Sequence, residues 1–176
     1  MKRADLIEVI DLNKKVIAVK SKLEVHENGL FHKAFSVIIV NDNNEMLLQK
    51  RAATKYHFAG KWSNACCGHP YPKENILEAA NRRVYEEIGI RLEIKELFSL
   101  SYSCFDNESG MHENEFDTVF IGKYNKSVTD FNKNEISKII WVHKHLLQKE
   151  YKINTLNFTP WFVLILEKYF LLKINR

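Results

Sequence analysis

Residues 68–90 read Gly68-HPYPKENILEAANRRVYEEIG-Ile90. From Glu74 to Ile88 the apolar residues Ile76, Leu77, Ala80, Val84 and Ile88 recur at helical spacing, which predicts about four turns of helix with one apolar face. Gly89 stands where a helix commonly ends in the left-handed conformation. Arg82 and Glu86 are four residues apart, as are Arg83 and Glu87, and residues at that spacing are neighbours on a helix surface. The helix therefore offers guanidinium groups suited to an anion beside carboxylates suited to a divalent cation. A solvated face with ordinary ion pairs has the same local pattern. The glycines at both ends of the stretch set this one apart.

Outward from the helix, segments 5–11 and 16–20 read as two short strands around Asn13-Lys14. Ala34 to Val40 and Met46 to Lys50 are β-rich runs flanking Asn41-Asp42-Asn43-Asn44, which predicts a hairpin. Residues 51–73 read as irregular. After the helix, strand-like segments at 91–105 and 115–124 are joined by a polar turn at Asp106 to Gly110, and 138–142 is a further strand. A closing helix is predicted from about Thr159 to Leu172, with Pro160 at its first turn, where a missing N–H does no harm. Strands, one central helix, more strands and a last helix predict a mixed α/β sandwich.

Composition removes several alternatives. A chain of 176 residues suits one domain with a full core and is short for two. With 45% hydrophobic and 27% charged residues it is neither disordered nor fibrous. A formal charge of +4 is too small to mark a nucleic-acid binder, although a few cations gathered in one pocket could hold an anionic small molecule. The three cysteines include the adjacent pair Cys66-Cys67 and match no secreted disulfide framework, so a reducing cytoplasm is expected. Lys2 and Arg3 are followed by Asp5, Glu8 and Asp11, which interrupt any signal-peptide apolar run. Glu167 and Lys168 split the longest apolar stretches, so no membrane association is expected, and a monomer is the default.

The spacing of residues 68–90 resembles the Nudix box, a loop, helix and loop that holds divalent metal against a diphosphate. One position departs from the pyrophosphate-cleaving members. Where they carry Arg-Glu-apolar, this chain has Arg82-Arg83-Val84, which replaces a metal-binding carboxylate with a fork suited to phosphate oxygens. Asn64-Ala65-Cys66-Cys67-Gly68-His69-Pro70 leads into the box, His26-ENGLF-His32-Lys33-Ala34-Phe35-Ser36 precedes it and Glu113-Asn114-Glu115 follows. Together these motifs resemble the metal-dependent, type 1 isopentenyl diphosphate isomerases from about Lys22 to Trp161.

The resemblance implies a single Nudix-like domain over residues 1–176, with a mixed sheet in an α/β/α sandwich. It also implies an isoprenoid-pathway enzyme that interconverts isopentenyl and dimethylallyl diphosphate by moving a proton across the alkene. It assigns His26, His32, His69, Glu113 and Glu115 to one Zn²⁺ or Mn²⁺, a mixed nitrogen and oxygen set suited to either. Glu87 and the backbone carbonyl of Cys67 are assigned to a Mg²⁺. Cys67 and Glu115 become the acid/base pair, one on each face of the alkene. Trp161 becomes the indole beside the reacting carbon, and Tyr102 the active-site tyrosine. Lys22, Arg51, Lys55 and Arg83 are the implied diphosphate cations. Cys66 and Cys104 are read as small buried hydrophobes, and His57, His143 and His145 as surface residues.

A Nudix hydrolase acting on a nucleoside diphosphate derivative is the alternative, and Arg83 and the Cys67-Gly68-His69 threshold count against it. A non-catalytic module would be expected to lack ligands, yet each transferable position is filled. The chain is too short for the barrel of the flavin-dependent isomerases.

Overall fold

The computed structural model describes residues 5–174, so Lys2 and Arg3 lie outside the described residues. Strands β1 (Leu6–Ile10) and β2 (Val16–Ser21) pair antiparallel, close to the predicted bounds. A short helix, α1 (Lys22–Glu27), follows, its first turn capped by the Ser21 hydroxyl, which accepts the Glu24 N–H. Next come β3 (His32–Val40) and β4 (Glu45–Arg51). The segment predicted as irregular contains two short strands, β5 (Trp62–Ser63) and β6 (Cys66–Gly68). The central helix, α2 (Ile76–Ile88), is followed by β7 (Ile94–Asp106), β8 (Met111–Lys123) and β9 (Ile136–His143). Helix α3 (Lys144–Ile153), a single 3₁₀ turn at Thr155–Asn157 and helix α4 (Pro160–Ile174) complete the described chain.

The strands form one mixed sheet centred on β3. One edge of β3 runs parallel to β8, from His32 opposite Glu115 to Val40 opposite Lys123. Its other edge is shared in turn by β1 at His32, β6 at Phe35 to Val37, and β4 at Val40. The predicted β3–β4 hairpin ladder is therefore not formed. The two strands meet at Val40 and Met46 and then separate, because β6 takes the edge of β3 while β5 takes that of β4. That separation brings the Cys67 segment to the middle of the sheet.

Alternation along the strands splits the core into two layers. Phe35, Val37 and Ile39 pack with Ala79, Ala80, Val84 and Ile88 of α2, whereas Ile38 packs on the other side with Phe162, Ile165 and Tyr169 of α4. Helix α4 is apolar around most of its circumference, as expected of a helix packed on more than one side. The predicted three-layer α/β/α arrangement is thus observed.

Helix α2 begins two residues after the predicted Glu74, because Asn75 supplies the N-cap: its Oδ1 accepts from the N–H groups of Leu77 and Glu78. Leu77, placed by spacing on the apolar face, is 39% exposed. Gly89 ends the helix at φ +75°, and a Cβ there would lie 2.9 Å from the carbonyl oxygen of Asp130, so both the conformation and the space demand glycine. Among the described residues, no helix is long and apolar enough to cross a membrane.

Candidate active site

Strand register assembles the site. His32 of β3 lies opposite Glu115 of β8, and Glu115 lies opposite Tyr102 of β7. On the other edge of β3, Ser36 lies opposite Cys67 of β6. Because successive strand residues face opposite ways, Cys66 is buried in the α2 layer while Cys67 packs on the α4 side. Residues Glu113 and Glu115, two apart on β8, share that side. Helix α1 supplies His26, and the segment after β6 supplies His69.

The ligand atoms of His26, His32, His69, Glu113 and Glu115 all lie within 4.8 Å of one another. His26 Nδ1 faces the Lys22 carbonyl at 2.5 Å and His32 Nδ1 faces the Leu30 carbonyl at 2.7 Å. Donation to those carbonyls leaves each Nε2 with a lone pair. Yet His32 Nε2 stands 3.2 Å from His69 Nε2 and 3.4 Å from Glu115 Oε1, which also lies 3.0 Å from His69 Nε2. His26 Nε2 and Glu113 Oε2 are 3.2 Å apart, buried, and neither makes a hydrogen bond. Converging lone pairs and carboxylate oxygens repel unless a cation sits among them, so these residues fit a divalent metal. Burial raises the Glu113 pKa, but the neighbouring His26 and His57 outweigh it and hold the carboxyl well below its usual range. For Glu115, burial and the Glu113 charge are likewise outweighed by His32 and His69.

A cavity of about 250 Å³ adjoins this cluster. Its walls include His69, Glu113, Glu115, Cys67, Tyr102 and Trp161, together with Lys22, Arg51, Lys55 and Arg83. The structure thus brings the four predicted cations onto the cavity that also holds the predicted thiol. Lys22 is pushed down to about 8, first by burial and then by the nearby Lys55 charge. Arg51 is anchored by donating to the carbonyls of Phe58 and His57. Arg83 donates to Glu87 Oε1 at 2.5 Å and to Glu135 Oε1 at 3.2 Å. Glu87 is nearly fully buried, and its other oxygen meets Gln49 Nε2 at a long 3.5 Å, so the carboxylate could take a second cation.

Burial pushes the Cys67 thiol up to about 12 against the opposing charge of Arg51, so it holds its proton at neutral pH. Tyr102 donates to Glu115 Oε2 at 2.5 Å. The Trp161 indole is fixed by its Nε1, which donates to Ser63 Oγ at 3.1 Å, and the Arg51 guanidinium lies 5.4 Å from its ring centre.

Sequence reasoning misplaces or overlooks some residues. His57, expected on the surface, is 6% exposed and pairs through Nε2 with Glu113 Oε1. Cys104 is partly exposed, opposite Glu113, rather than a buried hydrophobe. Cys66 is fully buried, and His143 and His145 are exposed, as expected. Glu135 lines the cavity between Lys55, which it meets at 2.6 Å, and Arg83, yet it belongs to no motif. Burial raises the Glu135 pKa, but Lys55 and Arg83 outweigh it and bring it down to about 2. A depressed carboxylate stabilises the fold above its unfolded pKa near 4.5 and loses that contribution as pH falls toward 2. Glu135→Gln is therefore expected to lower stability by about 2 kcal/mol at pH 7, after allowance for partial exposure. In urea titrations the gap from the parent should close between pH 4.5 and 2; a gap that persists unchanged at pH 2 contradicts it.

The chain matches the NUDIX domain model over residues 30–162. It is 38% identical over 160 residues to isopentenyl-diphosphate Delta-isomerase 2 of Photorhabdus laumondii, covering 90% of this chain and 88% of that one. It is 41% identical over 138 residues to isopentenyl-diphosphate Delta-isomerase 1 of Aromatoleum aromaticum, covering 78% and 77%. Among solved structures, the fold resembles DR0079 from Deinococcus radiodurans, with a TM-score of 0.69, 15% identity and coverage of 85% and 90%. It also resembles the MutT protein of Methanosarcina mazei, with a TM-score of 0.64, 21% identity and coverage of 79% and 92%. These distant structures speak to the fold alone, whereas the sequence relatives share most of the chain. The chain belongs to the isopentenyl-diphosphate Delta-isomerase family of NUDIX-domain proteins.

Proposed function

We propose that this protein interconverts isopentenyl and dimethylallyl diphosphate, transposing a carbon–carbon double bond by adding a proton at the terminal alkene carbon and removing one from the carbon on the other side of the tertiary carbon. The observation that carries the reading is one cavity in which a protonated thiol, a buried carboxylate and four cations meet. An isolated alkene is a very weak base, so the reaction needs an acid and a base held ready on either face of it. Cys67 and Glu115 are that pair. Their environments push their pKa values apart, which leaves one protonated and the other ionised at neutral pH. As one gives a proton to the alkene, the other takes one from the carbon beyond the tertiary carbon; their roles exchange in the reverse direction.

Tyr102 keeps Glu115 oriented through its hydroxyl. The Trp161 ring, anchored by donation from its Nε1 to Ser63, stabilises the positive charge that develops at the tertiary carbon, by up to about 2 kcal/mol when the charge meets its face in a dry site. Lys22, Arg51, Lys55 and Arg83 hold the diphosphate, and Arg83 does so in place of the carboxylate that a hydrolase would carry. His26, His32, His69, Glu113 and Glu115 hold a Zn²⁺ or Mn²⁺. Glu87 with the Cys67 carbonyl would hold a Mg²⁺. When bound, these ions fix the carboxylates and offset the diphosphate charge. The protein acts on a small diphosphate in the cytoplasm as a monomer.

With Mg²⁺ present, the purified protein should bring either five-carbon diphosphate to the same equilibrium mixture, as followed by NMR of the vinyl and methyl protons. Release of phosphate without migration of the double bond would overturn the assignment in favour of a hydrolase.

A further inference from the structure

We propose that His57 is a positioning residue of the metal centre: it holds one oxygen of Glu113 and leaves the other to the metal. The proposal deepens the reading of the five-residue cluster and rests on it. Glu113 divides its carboxylate between two histidines. Oε2 faces His26 Nε2 inside the ligand cluster, whereas Oε1 faces His57 Nε2 outside it. A nitrogen that meets a carboxylate oxygen so closely carries the proton, so His57 donates and Glu113 accepts. A carboxylate tied at one oxygen presents a single, oriented donor to a metal, and such outer partners usually govern how tightly the ion is held.

Three features of the surrounding loop mark His57 as placed rather than merely packed. Its carbonyl accepts from Arg51 Nη2 at 3.0 Å, and the next residue is held from both sides: the Phe58 carbonyl accepts from Arg51 Nε at 3.2 Å, and the Phe58 N–H donates to Asp106 Oδ2 at 2.9 Å. Phe58 is held at φ +48°, a left-handed conformation that is unfavourable for a non-glycine residue and persists only where neighbours enforce it. Finally, His57 Nδ1 is buried and meets no protein donor. An apolar side chain would fill this place, among Tyr56, His26 and Trp161, without leaving a buried polar atom unpaired. The histidine therefore earns its position through Nε2.

The test compares Zn²⁺ affinity, measured by competition with a chromophoric chelator, in the full-length protein and in His57→Ala, His57→Leu and His57→Gln. Circular dichroism identifies which variants are folded, and either variant without a donor suffices. The expected result is about 10- to 100-fold weaker Zn²⁺ binding in Ala or Leu, with most of the affinity restored by Gln, whose amide can still donate to Glu113. X-ray absorption of the zinc-loaded proteins should count the same number of imidazole ligands with and without His57. Parental affinity in Ala or Leu would overturn the proposal. So would a Gln variant as weak as those two, or the loss of one imidazole, which would make His57 a direct ligand. Failure of the parent protein to bind stoichiometric Zn²⁺ would instead overturn the metal-site reading beneath it.

Discussion

Cys67→Ala is expected to lower kcat by about 10³- to 10⁴-fold, the full contribution of a positioned acid/base group, while leaving metal content unchanged. The separation of the two effects follows from the geometry. Cys67 sits on β6, across β3 from the β8 carboxylates, and its thiol is not among the five clustered ligand groups. Its chemistry comes from its surroundings: burial keeps the proton on sulfur, and Arg51 supplies the charge that eases its departure. A side chain that merely filled space would be replaced by alanine at a small cost in stability and none in turnover. Single-turnover kinetics and elemental analysis of the same sample check both halves, and near-normal turnover would remove the thiol from the mechanism.

Glu115→Gln is expected to lose both properties at once. This carboxylate lies within reach of His32 and His69 through one oxygen and accepts from Tyr102 through the other. The amide has similar shape but can neither accept a proton as a base nor present the same negative charge to a metal. Turnover should fall by about 10⁴-fold, and metal affinity should fall with it. Tyr102→Phe, which removes only the hydroxyl donor to Glu115, should leave the metal in place. A Glu115→Gln protein that binds metal normally and still turns over would show that the cluster and the chemistry are separate.

Much of this site could be read from the chain because it is built from short motifs on regular elements. Helix α2 declares itself through its apolar spacing and its terminal Gly89, and β8 places Glu113 and Glu115 on one side by alternation alone. The resemblance supplied the remaining partners, since nothing local connects His26 to Glu113 across the sheet. What escaped detection depends on tertiary neighbours. Asn41 to Asn44 make a good turn, but a turn does not determine which strands occupy the edges beyond it, and β5 and β6 displace the expected ladder. Helix α1 has six residues, too few for a periodic signal, although it carries His26. His57 and Glu135 lie in connecting segments whose course is set by Arg51, Lys55 and Arg83, long side chains that reach across the sequence. The one clue to His57 was a histidine directly before an aromatic residue in a segment rich in turn formers, which by itself favours neither surface nor interior.

The central claim is that one cavity exchanges protons at two carbons of a diphosphate-bearing alkene. Its most direct test is incubation of the Mg²⁺-supplemented protein with isopentenyl diphosphate in heavy water, followed by NMR and by a phosphate assay on the same sample. The account predicts dimethylallyl diphosphate carrying deuterium in the newly formed methyl group, with no phosphate released. Liberated phosphate with an unmoved, undeuterated double bond would contradict it.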